Sequence, residues 1–402
     1  IKLPAKAKVV VVGGGVIGCS VAYHLTKLGW SDVLLLEKEQ LTSGTTWHAA
    51  GLIVSGLLDD ETSADIFTYS RNLYSTLEEE TGLATGFKSI GYLQIACDTE
   101  RLEEMRRSAA FMRNFGIDCH EIGLEEARSH WPNAKWDDVI GAFYTAEDGR
   151  ANPVDVTMSL AKGFRQRGGT LVEGVRVTDV LEQQGQVTAV VTDHGTVETE
   201  FVVNCAGMWA RQFGELAGVS LPLQAAEHYY LITEDMPGMT PTTPVLEDPD
   251  RYAYFREEVG GMMIGLFEPE AAPWNLDRIP DDFSFGEIDP DWERMIPFLE
   301  SAYERVPEAK NLGIRKFFCG PESFTPDLAP LVGEAPELRN YFVACGMNSL
   351  GILSGGGIGR ILAHWIVNGQ PDVDVTGINV NRFHGCQANQ HYLGDRLVAV
   401  LE

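Results

Sequence analysis

The chain has 402 residues, a hydrophobic fraction of 44% and a formal net charge of -27. That length can bury a sizeable core and suits two domains. The acidity argues against nucleic acid and anionic membrane as partners, and no apolar run reaches the roughly 18 residues of a membrane span.

The seven cysteines form no C-x-x-C pair and their number is odd, which suits a reducing compartment. The expected location is cytoplasmic, or the mitochondrial matrix in a eukaryote. No His, Cys or carboxylate cluster has metal-ligand spacing, so no metal is expected. The sequence starts at Ile1 without methionine or signal peptide, which reads as a processed or cut end.

Val9 to Val12 are four β-branched residues in a row and read as a buried parallel strand. Gly13, Gly15 and Gly18 follow as G-x-G-x-x-G, then a helical run from Cys19 to Leu28. A second apolar strand, Val33 to Leu36, closes on Glu37. That acid lies at the spacing, about 20 residues, expected of a ribose-binding carboxylate. Gly13 permits a tight turn, Gly15 lets a pyrophosphate approach the backbone, and Gly18 lets the helix pack on the strand. The pyrophosphate would sit on free N–H groups at the helix start. Glu37 would accept hydrogen bonds from the ribose hydroxyls and repel a 2′-phosphate. Strand, glycines, helix, strand and acid in register therefore point to a dinucleotide site.

Residues 38–52 are rich in small and hydroxyl side chains and read as a loop along a ligand. Further on, helices are expected at about Ser63 to Thr81, Glu100 to Asn114, Val154 to Arg167, Pro290 to Val306 and Ile358 to Asn368. Strands are expected at Gly91 to Ala96, Asp138 to Tyr144, Val175 to Leu181, Val187 to Thr192, Phe201 to Cys205, Tyr229 to Ile232, Tyr252 to Leu266 and Tyr341 to Ala344. Residues 346–357 form a glycine-rich run opening the last helix. The expected fold class is α/β with α+β elements. It pairs a Rossmann-like dinucleotide domain, discontinuous in sequence, with an interleaved substrate domain on an antiparallel sheet.

Four motifs carry a resemblance over nearly the whole chain: the fingerprint ending at Glu37, Ser43-Gly44-Thr45-Thr46-Trp47-His48-Ala49-Ala50-Gly51, Val203-Asn204-Cys205-Ala206-Gly207-Met208-Trp209, and Gly320-Pro321-Glu322-Ser323-Phe324-Thr325-Pro326-Asp327 with the later glycine-rich run. The chain resembles the dimethylglycine and sarcosine dehydrogenases and oxidases of the D-amino-acid-oxidase-type flavoproteins. The resemblance implies FAD, held by Gly13, Gly15, Val16, Ile17, Gly18, Glu37, Lys38, Thr45, Thr46, Trp47, His48, Ala50, Gly51, Leu52, Val177, Ala206, Gly207, Trp209, Gly320, Pro321, Gly346, Asn348, Leu350 and Gly351. It also implies a covalent bond from His48 to the 8α-methyl carbon of the flavin. Cys319 is the rival tether, because related monomeric sarcosine oxidases use a cysteine shortly before a Pro-Asp pair; for Cys319 the buried small residue is the favoured reading. The implied domain layout is 1-88, 148-221 and 318-370 for FAD, 89-147 and 222-317 for substrate, and 371-402 as a C-terminal segment.

On the substrate side the resemblance implies a catalytic His228 with Tyr252 or Tyr254, which would share one strand face. Tyr69 and Arg71 are weaker candidates. Two features depart from the family. No lysine occurs between Lys162 and Lys310, where oxidases carry one over the flavin, so slow reaction with oxygen is expected. The basic pair that would clamp a carboxylate is missing, leaving only Arg256 and Arg315 as candidates. The folate-binding half of longer members is absent or removed. The expected activity is oxidative demethylation of a small secondary or tertiary N-methyl amine or amino acid, with hydride passing to flavin N5 and the iminium hydrolysed to formaldehyde. The electron acceptor is a carrier such as an electron-transfer flavoprotein, or oxygen. The alternatives are a flavin-bearing electron-transfer subunit with a degenerate site and a tRNA-modifying oxidase, the latter opposed by the charge.

Overall fold

The computed structural model describes residues 1–56, 58 and 60–398. Two eight-stranded sheets organise them. The first has the Lys6–Val12 strand at its centre, paired in parallel with Val33–Glu37 on one side and Gly195–Asn204 on the other. Thr170–Glu173 and Tyr341–Cys345 extend it in parallel, and Leu331–Glu334 closes one edge antiparallel. The hairpin Val177–Gln183 and Gln186–Thr192 pairs with the start of Gly195–Asn204. Val9, Val10 and Val11 are fully buried, as strands covered on both faces require.

Helices Val16–Lys27, Pro153–Gln166 and Gly351–Asn368 pack together on one face of this sheet, with Glu61–Thr81 against them. The last of these starts seven residues before the expected Ile358, so part of the glycine-rich run is itself helical. The physical reason is close approach. A Cβ at Gly357 would lie 2.6 Å from Ile66 Cα, and one at Gly359 2.7 Å from the Ser20 carbonyl carbon. Glycine's poor helix propensity, about 1 kcal/mol per residue, is offset by packing that a larger residue would prevent. The Tyr74 hydroxyl donates to Ile352 O at 2.6 Å and accepts from Gly356 N–H at 3.0 Å, so it stands inside the helix's own ladder.

The second sheet runs Ile314–Phe324, Gln224–Thr233, Gly261–Leu266, Ala253–Glu258, Val245–Asp248, Tyr92–Ala96, Gly141–Thr145, Cys119–Ile122. It is antiparallel except where Val245–Asp248 meets Tyr92–Ala96. The Ile314–Phe324 strand runs unbroken through 317/318, where the sequence suggested a boundary. The expected strand from Tyr252 is a hairpin that begins at Ala253. Tyr252 itself ends a 3-10 turn with φ 53°, off the strand. Among the described residues no helix is long and apolar enough to cross a membrane.

Candidate active site

The turn after the first strand follows the steric logic of its glycines. Gly13 takes φ +115°, and a Cβ there would lie 2.2 Å from Cys205 O. A Cβ at Gly18 would lie 1.9 Å from Gly13 O, so the helix can pack this tightly only with glycine. Gly15 is the N-cap of the Val16–Lys27 helix and offers no side-chain cap, which leaves first-turn N–H groups for an anion. Thr46 Oγ1 accepts from Val16 N–H at 3.1 Å.

A cavity of about 410 Å³ opens on this turn. Gly13, Gly15, Val16, Ile17, Glu37, Lys38, Thr45, Thr46, Val177, Ala206, Gly207, Trp209, Gly346, Asn348 and Gly351 all line it. Glu37 is buried and accepts from Gly14 N–H at 2.7 Å and Glu39 N–H at 2.9 Å. Burial raises its carboxyl pKa, and those two bonds pull against the rise. Lys38 Nζ sits 3.7 Å from the Trp209 ring centroid and donates to Asp281 O at 2.6 Å. Burial lowers the Lys38 ammonium to about 8. In the cavity wall Asn348 and Ser349 take φ of 51° and 68°, in the left-handed region that non-glycine residues adopt uncommonly. Asn348 Oδ1 accepts from Thr325 N–H at 2.9 Å and holds that loop. A cavity with a phosphate-ready turn, a buried acid at the end of the second strand and glycines in its walls fits FAD.

A second cavity, of about 260 Å³, shares Ala49, Glu322, Ser349 and Ile352 with the first. His48, Ala50, Gly51, Leu52, His228, Tyr254 and Leu350 line it. One row across the second sheet supplies much of its wall: Phe318 pairs with Tyr230, Tyr230 and Tyr254 both pair with Gly265, and Tyr254 pairs with Glu247. Registered residues point to one face, so four strands present Phe318, Tyr230, Tyr254 and Glu247 together. His228 pairs with Gly320 in the adjacent row. A Cβ at Gly320 would lie 3.1 Å from His48 Cε1, so that glycine makes room for the histidine.

His48 is 4% exposed, packs on Phe318 with ring centroids 5.0 Å apart, and its Nε2 has no hydrogen-bond partner. Burial lowers its pKa to about 4, with a smaller contribution from His228. His48 is therefore a neutral imidazole with a free nitrogen in the wall of the smaller cavity, next in sequence to the shared residue Ala49. His228 packs at a tilt against Phe267, ring centroids 4.8 Å apart, and its Nδ1 is also unpartnered.

The remaining candidates stand apart. Gly18, Trp47, Gly320 and Pro321 line neither cavity and act behind the walls. Tyr252 is 44% exposed and packs on Phe298 instead of sharing a face with Tyr254. Cys319 alternates to the far side of its strand and joins the core with Tyr229 and Leu93; burial pushes its thiol up to about 12. Arg256 donates to Ala50 O at 3.0 Å and pairs with Glu258 at 2.5 Å, while Arg315 pairs with Asp235 outside. Arg71 pairs with Asp148 at 3.2 Å, and the Tyr69 hydroxyl donates to His24 Nε2 at 2.8 Å. Neither Arg71 nor Tyr69 lines either cavity. Cys97, Asp248 and Asp250 gather within 4.8 Å, but Arg305 and Arg101 already bind them.

Glu247, Glu322, Tyr230 and Tyr92 also line the second cavity, and sequence reading did not single them out. Glu322 lay inside a recognised motif; the others show only once strand register is known.

The family model described as DAO, FAD dependent oxidoreductase, matches residues 8–365. Human mitochondrial sarcosine dehydrogenase is 42% identical over 388 residues, covering 95% of this chain and 42% of that protein. The formaldehyde-forming 4-methylaminobutanoate oxidase of Paenarthrobacter nicotinovorans is 39% identical, covering 98% of this chain and 48% of that protein. The chain thus spans less than half the length of these curated relatives. Among solved structures, L-proline dehydrogenase from P. horikoshii superposes with a TM-score of 0.85 at 27% identity, covering 95% of this chain and 98% of that one.

Proposed function

This chain belongs to the DAO family of FAD-dependent oxidoreductases, and on that premise we propose that it oxidises the C–N bond of a small N-methyl amine or N-methyl amino acid. FAD bound in the larger cavity would accept a hydride from the N-methyl carbon, and water would convert the resulting iminium to formaldehyde and the demethylated amine. The observation that carries the reading is the meeting of the two cavities at Ala49, Glu322, Ser349 and Ile352, with His48, His228 and Tyr254 in the wall of the smaller one. The names of the relatives, sarcosine and 4-methylaminobutanoate among their substrates, support the substrate class.

The protein's own contribution is orientation and proton control. Only the neutral amine has a lone pair to assist hydride loss. His228, with a free Nδ1 in an aromatic wall, is placed to align the amine and to take its ammonium proton before hydride loss. Tyr254 lies over Gly265, where a Cβ would strike its ring, and so presents a fixed surface to the substrate. His48 is the proposed covalent anchor for the flavin. Among the described residues no lysine or arginine lines the second cavity, which supports an electron carrier over oxygen as acceptor.

The test is anaerobic addition of candidate N-methyl amines to the yellow protein. Sarcosine, dimethylglycine or a related amine is expected to bleach the flavin. His228→Ala is expected to retain flavin and bleach roughly 10²-fold more slowly, the scale of a lost acid–base group. Absence of bleaching by any N-methyl amine would favour the electron-transfer subunit instead.

A further inference from the structure

The second cavity has an unusual charge inventory. Glu247 and Glu322 line it, and among the described residues no lysine or arginine does. The arginines nearest in sequence to its walls are committed elsewhere: Arg256 to Ala50 O and Glu258, Arg150 to Glu257.

Glu247 is half-buried in the cavity wall and, like Glu322, whose Oε2 is unpartnered, differs from the buried acids that have a cation. Asp148 has Arg71, Asp248 has Arg305, and Glu268 has Arg294. No hydrogen bond or ion pair within the described residues reaches the Glu247 carboxyl, and burial raises it to about 7. Its strand neighbour across the parallel pairing, Gln94, leaves its own Nε2 unpartnered. Beside it stand Tyr254, in direct register, and Tyr92, whose buried hydroxyl has no partner. The Glu247 carboxyl thus faces the cavity without a protein partner, and aromatic faces around an anion are the recognition chemistry of ammonium cations.

We propose that Glu247 is the anionic seat for the substrate's ammonium group, so that the cavity takes N-methyl amines as cations and requires no carboxylate on them. This rests on the demethylase reading for the word substrate, but the seat itself does not. A ligand that carries a carboxylate and no ammonium would meet two acids and no fixed cation among the described lining residues. A cation would satisfy Glu247 and lie against Tyr254 and Tyr92.

Equilibrium titration of the flavin-loaded protein with tetramethylammonium and, separately, with acetate decides the matter, read through the flavin spectrum and by calorimetry. Tetramethylammonium is expected to bind more tightly than acetate in the wild type. Glu247→Gln is expected to weaken tetramethylammonium roughly tenfold or more while leaving acetate no weaker, on the scale of one lost ion pair in a desolvated site. Acetate binding more tightly than tetramethylammonium in the wild type would overturn the seat, whether or not the variant folds. So would unchanged tetramethylammonium affinity in a folded Glu247→Gln. Cation binding without bleaching by any N-methyl amine would keep the seat and remove the demethylase reading. Bleaching by dimethylglycine with no preference for the cation would do the reverse.

Discussion

His48 shows how a single side chain acquires a role from its surroundings. A free imidazole has a pKa of about 6.5; enclosed by Trp47 and Phe318, His48 falls to about 4 and is neutral throughout the physiological range. Neutrality makes the ring nucleophilic, and the space at Gly320 lets it lean toward the cavity. Acid precipitation of the wild type is expected to carry flavin into the pellet on the peptide containing His48, whereas His48→Ala should release free FAD from an intact fold. Flavin lost from the wild-type pellet would make Trp47-His48 a positioning loop only. His48 stood out in the sequence because the motif Trp47-His48-Ala49-Ala50-Gly51 resembles that of the dimethylglycine dehydrogenase group; without that resemblance a lone loop histidine reads as a plain polar contact. Tyr252 misled because alternation was counted through a residue in the left-handed region, which breaks the face. Glu247 was invisible because its strand, Val245–Asp248, is four residues long between Pro244 and Pro249, too short for a period to register.

At the scale of elements, the first helix joins cofactor turn to core. Eleven of its twelve residues are buried, including His24. His24 Nδ1–H donates to Ser20 O at 2.7 Å and Nε2 accepts from the Tyr69 hydroxyl, which fixes a neutral tautomer. Burial lowers its pKa to about 3. The unfolded chain therefore binds the proton first as pH falls below about 6.5, and folding stability from this group is lost between about 6.5 and 3. The slope is about 1.4 kcal/mol per pH unit for one proton. Asp148 and Glu247, raised to about 6 and 7, act with the opposite sign over part of that window. Chemical denaturation of wild type and His24→Asn at several pH values isolates the histidine: their stability difference should shrink on acidification. A difference independent of pH would mean that His24 titrates alike in both states. The glycine-rich helix carries a related lesson. Its first half reads as a loop because local propensity disfavours glycine, yet tertiary approach to Ser70, Ile66 and Ser20 decides in favour of helix.

At the scale of the molecule, the first sheet draws its strands from residues 6–37, 170–204 and 331–345, and the second from residues 92–145, 224–266 and 314–324. The parallel sheet was legible because a buried parallel strand, a glycine turn and an acid form one local unit. The row of Phe318, Tyr230, Tyr254 and Glu247 was not, because it depends on register between strands far apart in sequence. Interleaving places that row in the smaller cavity, which shares Ala49, Glu322, Ser349 and Ile352 with the larger, so a molecule in one can meet one held in the other. We propose the two sheets as the centres of a cofactor domain and a substrate domain, with the Ile314–Phe324 strand assigned whole to the second. The central claim is oxidative removal of an N-methyl group, and single-turnover stoichiometry tests it most directly. The flavin-loaded protein is reduced anaerobically with a bleaching N-methyl amine, and formaldehyde is trapped and counted. One formaldehyde per flavin reduced is the expected result; flavin reduction without formaldehyde would place the oxidised bond elsewhere in the substrate and contradict the assignment.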